Sequence, residues 1–321
     1  LMNIPFIYKY QPKYLSDFYI SNDLLDILNL LTKLNNLNIL LFGYTSSGKS
    51  TLIKAIISNY YNHKINNDDI LNINTIKEQG ISYYRTNVKN FCQTKCSIKG
   101  KKKFLILDDI DNINQQSQQV FRNYIDTYSN NINIIASCND LQKVIKSIQS
   151  RLINIKLNCL DETSIIKIIN NICLKENIKI NDTEKKFLLS ISNNSIITVI
   201  NYLEKIKLFT YNNNNIDIKI INEICTNISF DNLNTYIKLC KKEDLKNSIN
   251  ILYHFIDKGY SVIDILNILF IYIKTTEILD ENEKYNIITL ISKYITIFYN
   301  LHEDEIELVI FTNNLIKILN T

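Results

Sequence analysis

Two rhythms of apolar residues divide the chain. Through about residue 160, short apolar stretches at 38–42, 104–107, 132–137 and 153–157 alternate with stretches of helical spacing. Such runs, bounded by polar turns, predict buried strands. Between them, 23–37 repeats apolar residues at Leu24, Leu25, Leu28 and Leu31 behind a cap at Ser21 or Asn22, and 51–60 and 114–128 read as helices. Residues 1–20 carry no clear period and read as loop. Short strands alternating with helices predict a parallel α/β sheet. After residue 160 the strands stop. Segments 165–174, 184–192, 196–209 and most of 231–321 keep only the helical period. The run YNNNN at 211–215 reads as a linker or loop tip. The expectation is an α/β domain over 1–158, a small helical domain over 159–227 and a second helical domain over 228–321.

Composition narrows the class. Of 321 residues, 46% are hydrophobic and 21% charged, the balance of a globular chain with room for two or three domains. Only 5 glycines and 2 prolines occur, which excludes collagen-like and Pro-rich classes and argues against a many-turned β fold. The absence of Trp beside 20 Tyr, with Ile, Asn and Lys over-used, reads as the imprint of an AT-rich coding sequence. Seven scattered cysteines contain no Cys-x-x-Cys pair, so free thiols in a reducing compartment are expected rather than zinc or disulfides. Pro5 and Lys9 interrupt any signal peptide, and Leu1 ahead of Met2 reads as a fragment edge. The most apolar long stretch, 261–273, is broken by Asp264 and Asn267 and is too short to span a bilayer, so no membrane partner is expected. A net charge of +4 is only mildly basic, so nucleic-acid binding would depend on where the cations sit.

The strongest local signal is Gly43-Tyr44-Thr45-Ser46-Ser47-Gly48-Lys49-Ser50, followed by Thr51. It fits G-x-x-x-x-G-K-[ST] directly after a strand and opens a helix. In such a loop, backbone N–H groups curl around phosphate oxygens and the helix N-terminus adds partial positive charge. Lys49 would reach the β- and γ-phosphates of ATP, and Ser50 would offer its hydroxyl to Mg²⁺. Farther on, Phe104-Leu105-Ile106-Leu107-Asp108-Asp109-Ile110-Asp111 places carboxylates at the C-terminal end of a strand, the edge where open α/β sheets bind ligands. One carboxylate can hold Mg²⁺ and the next can polarise a water.

In order along the chain, PFIYKYQPKYLSDF (5–18), ILLFGYTSSGKST (39–51), LNINTIKEQGISYYR (71–85), FLILDDIDNINQQSQQVFRNYIDTYS (104–129), IIASCNDLQKVIKSIQSRL (134–152) and KGYSVIDILNILF (258–270) resemble the motifs of the AAA+ clamp-loader family, specifically the small subunits of replication factor C. The resemblance runs over essentially the whole chain. It implies an AAA+ domain over 1–158, a helical lid over 159–227 and a helical collar for oligomerisation over 228–321. It also implies a heteropentamer of loader subunits that uses ATP and Mg²⁺ to open a sliding clamp and place it on primer–template DNA, in the nucleus or at a site of viral replication. Carried onto matched positions, Asp108 would sit in the magnesium shell and Asp109 would orient the attacking water. Asn139 would sense the γ-phosphate, and Arg151 would act as a finger on the neighbouring subunit's ATP, worth roughly 10³–10⁵ in rate in comparable systems. Arg85, Lys89 and Arg122 are the candidates for tracking DNA phosphates. The cluster 99–103 reads instead as a connector before a strand.

Several positions depart from the family pattern. Asp109 stands where the family has Glu, an arm shorter by roughly 1.5 Å. Gln11 replaces an Arg of the opening box, Ser46 replaces the middle glycine of the loop, and Leu152 replaces a Cys. The family's GDxRxAxNxLQ signature aligns on 194–204 with Ile197 in place of its Arg. Nucleotide binding is thus more strongly implied than turnover at this chain's own site. Three readings stay open: an ATPase subunit of the loader, a structural subunit that binds nucleotide without hydrolysing it and donates Arg151, and another AAA+ DNA-processing ATPase.

Overall fold

The computed structural model describes residues 4–64, 66–74, 80–192, 195–210, 228, 230–276, 278–300 and 304–320. The chain divides into two compact units, one of Leu1–Ile172 with Asn194–Asn201 and one of Cys173–Asn193 with Tyr202–Thr321.

The first unit is built on five parallel strands: β1 Ile39–Gly43, β2 Ile70–Asn74, β3 Lys103–Asp108, β4 Ile132–Cys138 and β5 Ile153–Leu157. Their order is β2-β3-β4-β1-β5, with Ile39 in register with both Ile135 and Ile153 and Asn74 with Asp108. Successive side chains on a strand point to opposite faces. Leu40, Leu105, Leu107, Ile134 and Ala136 therefore pack one face against Tyr84, Val88 and Phe121. Ile39, Leu41, Phe104, Ile106 and Ile135 pack the other against Leu28, Leu52, Ile56 and Tyr60. Both faces are covered, which is why β1 and β3 read as continuous apolar runs.

Helices α1 Phe6–Lys9, α2 Asn22–Lys33 and α3 Lys49–Tyr60 come from the first part of the chain. Helices α4 Ile81–Tyr83 and α5 Lys89–Gln93 are joined by a π-helical turn, Tyr84–Val88. Helices α6 Gln115–Thr127, α7 Lys146–Gln149 and α8 Glu162–Glu176 complete the described helices that begin before residue 173.

Three local expectations are corrected. Residues 1–20 are not all loop, since α1 and a 3-10 turn at Leu15–Asp17 lie there, anchored by buried Phe6 and Leu15. Helix α2 ends at Lys33, and Ser21 caps it by backbone position without a side-chain bond. Strand β2 had no apolar run to announce it. Asn72 and Asn74 interrupt it, and it pairs with β3 alone, so only Ile73 among Ile70, Leu71 and Ile73 is fully buried. The 99–103 cluster does serve local structure. Lys101 lies over the Tyr60 ring, Lys102 Nζ donates to the Ser129 carbonyl, and Lys103, already in β3, donates to Thr94 Oγ1.

The second unit is helical: α9 Asp182–Ser192, most of α10 Ile196–Thr210, then α11 Phe230–Lys241, α12 Leu245–Asp257, α13 Val262–Thr275, α14 Glu281–Asn300 and α15 Glu305–Leu319. Helix α13 shows the logic, burying Val262, Ile265, Leu266, Leu269, Tyr272 and Ile273 at helical spacing. The Lys-Gly-Tyr-Ser stretch before it is a helix stop and start. Gly259 takes φ +89° just after α12, a backbone that side chains disfavour, and the Ser261 hydroxyl caps α13 by accepting from the Asp264 N–H at 3.1 Å. Buried Tyr236 meets Thr312 at 3.1 Å, satisfying two polar groups inside an apolar core.

The cysteines at 92, 96, 138, 159, 173 and 240 are free; Cys225 and the 211–215 run lie outside the described residues. No described helix is long and apolar enough to cross a membrane.

Candidate nucleotide site

The carboxyl ends of β1, β3 and β4 lie side by side, and each delivers one part of the site. Strand β1 runs into the loop 44–48. Gly43 is required there by close approach, because a Cβ on it would meet the Leu157 carbonyl oxygen of β5 at 2.3 Å. Ser46 holds φ +66°, so the loop keeps the left-handed turn that a glycine would adopt freely. A left-handed non-glycine costs roughly 1–2 kcal/mol, which the surrounding loop must offset. Gly48 caps α3, whose first turn carries no acidic side chain, leaving the partial positive charge of its N-terminus for an anion.

Lys49 is buried and its ammonium is fully engaged. Nζ donates to the carbonyls of Gly43 at 2.9 Å and Tyr44 at 2.8 Å and to Asn139 Oδ1 at 2.8 Å. Burial pulls the lysine pKa down from its ordinary value, against the opposing pull of Asp109, Cys138, Asp111 and Asp108. Ser50 Oγ donates to both carboxylate oxygens of Asp108, at 3.1 and 3.0 Å. Residues 58 positions apart in sequence thus stand where a divalent cation would find a hydroxyl and a carboxylate together. Ser47 Oγ is buried without a hydrogen-bond partner among the described residues. An orphaned donor inside the loop, beside a helix end with no side-chain cap, fits a phosphate-bearing ligand.

Asp109 sits in a left-handed backbone at φ 55°, ψ 53°, and its N–H donates to Ser137 Oγ at 2.9 Å. Burial first, then the neighbouring Asp108 and Asp111, raise its carboxyl above the ordinary aspartate value, while Lys49 opposes them. Ser137 in turn donates to Asp108 Oδ1 at 2.5 Å. One buried hydroxyl therefore holds both acidic residues. Asp111 Oδ2 accepts the backbone N–H groups of Asn139 and Asp140 at 3.1 and 3.2 Å, fixing the turn that presents Asn139. Gln11, in the opening stretch, donates to Thr51 Oγ1 at 3.2 Å and so reaches the start of α3.

Sequence reasoning named Lys49, Ser50, Asp108, Asp109 and Asn139, and the fold gathers all five. It passed over Ser137 and the role of Asp111. A lone serine near the end of a largely apolar strand was the available signal for the first. Tyr44 stands outward, 78% exposed, and Thr45 beside it is exposed as well. Arg151 lies apart from this pocket, just past α7, where Nε donates to Asp126 Oδ1 at 2.7 Å and Nη1 to the Ser147 carbonyl at 2.8 Å. Arg85 and Lys89 line one open depression of about 490 Å³ with Gln116, Asn123 and Tyr128. Arg122 does not line it and faces Asp126 instead, at 3.8 Å. Ile197 lies in the first turn of α10 and is 40% exposed; Asn194, where that alignment began, is outside the described residues.

Comparison with known proteins agrees along the chain. The model of the ATPase family associated with various cellular activities (AAA) matches residues 39–158, and that of the replication factor C C-terminal domain matches 228–295. A putative replication factor C small subunit of Acanthamoeba polyphaga mimivirus is 25% identical over 292 residues, covering 91% of this chain and 90% of the relative. Replication factor C subunit 2 of Saccharomyces cerevisiae is 26% identical over 294 residues, covering 87% and 83%. Among solved structures, the Thermotoga maritima RuvB Holliday junction branch migration motor aligns at a TM-score of 0.55 and 15% identity, over 72% of this chain and 79% of its own, a likeness of fold alone. With an AAA match on the sheet, a replication factor C match on the helical tail and small subunits aligned along most of its length, this chain is similar to the replication factor C small subunits and has the domain make-up of a clamp loader of that kind.

Proposed function

We propose that the chain is an ATP-driven subunit of a hetero-oligomeric loader that opens a ring-shaped clamp and places it on primer–template DNA. The observation that carries this reading is the convergence of Lys49 with Asn139 and of Ser50 with Asp108 at one sheet edge. In the site, the loop 43–51 holds the phosphates of ATP, with Lys49 moving from its loop carbonyls to the β- and γ-oxygens. Ser50 and Asp108 hold Mg²⁺, which would neutralise phosphate charge when bound. Asn139 bears on the γ-phosphate, and Asp109 orients and deprotonates water. Arg151 serves the nucleotide of the adjacent subunit. Residues 159–227 act as a lid and 228–321 as the collar. Arg85, Lys89 and Arg122 track DNA phosphates without reading sequence.

A second reading has its own support. The short Asp109 arm and the apolar Ile197 favour a subunit that holds nucleotide and donates Arg151 without turnover at its own site. ATP turnover of the loader assembled with its partner subunits separates the two. The first reading expects both Asp109→Ala and Arg151→Ala to lower activity. An unchanged rate in Asp109→Ala with a loss in Arg151→Ala establishes the second. Unchanged rates in both would remove Arg151 from the chemistry altogether.

A further inference from the structure

Arg151 is gripped at its root and open at its tip. A guanidinium carries five N–H donors in a planar fork. Here Nε is taken by Asp126 and one N–H of Nη1 by the Ser147 carbonyl, while no described residue accepts from Nη2. Two fixed points on a planar group stop its rotation and leave the Nη2 edge as the part that can meet a ligand. The arginine is only partly exposed, at 28%, and Asp126 is 47% exposed. An exposed ion pair contributes little stability by itself. What the Asp126 bond supplies is direction, and a group that must reach a phosphate with its fork aligned depends on direction.

The placement of Asp126 fits that task. It lies in the last turn of α6, 25 residues before Arg151, on a face shared with Arg122 one turn earlier. Arg122 approaches the other carboxylate oxygen at 3.8 Å, outside hydrogen-bond distance, so the short bond belongs to Arg151. Helix α6 is itself locked in place by Gln118, fully buried. Its Nε2 donates to the carbonyls of Ile113 at 2.9 Å and Lys143 at 3.1 Å, and its Oε1 accepts from the Ile145 N–H at 2.9 Å. The carboxylate is thus carried by a rigid element, and the arginine beside it follows a helix tied to that same element.

We infer that Asp126 is a positioning residue for Arg151, holding Nε so that the free Nη2 edge is presented to the terminal phosphate of a nucleotide bound by a neighbouring subunit. This rests on the reading of Arg151 as a group acting across a subunit boundary. The Arg151 hydrogen bond keeps the Asp126 carboxyl below the ordinary aspartate range, so the grip remains charged at neutral pH.

The test is a double-mutant cycle in the loader assembled with its partner subunits, reading kcat and KM for ATP together with the thermal midpoint. Asp126→Ala is expected to lower the Arg151-dependent kcat about 10- to 100-fold, the scale of a misplacement near 1 Å, with KM changed less than about 2-fold. Asp126→Glu should restore most of the loss, and adding Asp126→Ala to Arg151→Ala should change nothing further. If Asp126→Ala does not assemble, Asp126→Asn goes through the same cycle. A wild-type rate in Asp126→Ala overturns the inference while the loss in Arg151→Ala leaves the parent reading standing. A loss that persists in the Arg151→Ala background also overturns it, since Asp126 then acts through the fold. Should Arg151→Ala itself have no effect, the parent reading falls and takes this one with it.

Discussion

The loop around Lys49 and the edge around Arg151 hold the two cations on which the proposed chemistry depends, and the fold treats them in opposite ways. Lys49 is buried with every ammonium proton committed to its own chain, to two loop carbonyls and to Asn139. Arg151 is half-open, tied by Nε and Nη1 and free at Nη2. A cation that must serve a ligand in its own pocket can be stored against groups that the ligand displaces. A cation that must serve a ligand elsewhere has to be aimed in advance, because nothing in its own subunit will aim it later. The ammonium suits the first duty, as a compact charge with rotatable donors, and the guanidinium suits the second, as a rigid fork.

The sharpest way to break this contrast is to delete the stored cation. Lys49→Ala should weaken nucleotide binding by about 10²–10³-fold, the scale of removing one partner from a buried charge pair. A titration with a fluorescent ATP analogue reads it, and Arg151→Ala should leave the same titration within about 2-fold. Equal losses in both variants would mean that the two cations share one site.

Next in size is the link between the regions. Gln118 ties the carbonyls of Ile110 and Ile113, behind the acidic strand end, to Lys143 and Ile145, ahead of the helix that leads to Arg151. Gln118→Ala leaves these buried groups unpaired and should cost about 3 kcal/mol in chemical denaturation. An unchanged midpoint would show that water replaces the amide.

Gly43→Ala is expected to cost about 2 kcal/mol, because its Cβ would press on the Leu157 carbonyl oxygen and displace the loop. Differential scanning calorimetry of the variant, without nucleotide, measures it.

The smallest effect is one of pH. Asp109 is raised above the ordinary aspartate value of 3.8, so its carboxylate is lost as pH falls through a point above that value. If it is the base, turnover should fall on the acid side along a limb that begins earlier than for a solvated aspartate, and Asp109→Asn should abolish the limb with the rate. A profile that keeps the same limb in Asp109→Asn assigns it to another group.

How far these features could be read from the residues depended on how local their causes are. The loop 43–51 was legible because each of its requirements is met within one strand, one turn and one helix start. So was the helical tail, where burial at positions such as Val262, Ile265, Leu266 and Leu269 repeats with the helix period. Strand β2 was obscured because an edge position lets Asn72 stay in solvent, erasing the apolar run that marks β1 and β3.

Sequence alone determined the chemical inventory: a phosphate loop, an acidic strand end, a polar residue after the next strand and an arginine beyond it. It did so because these signatures are spelled by neighbours in the chain. Tertiary structure alone decided which groups meet. The sheet order β3-β4-β1 sets Ser137 between Asp108 and Asp109 and brings Asn139 to Lys49, and the packing of α6 brings Asp126 to Arg151. Contacts across 25 to 90 residues depend on strand order and helix rotation, which no short stretch of residues encodes.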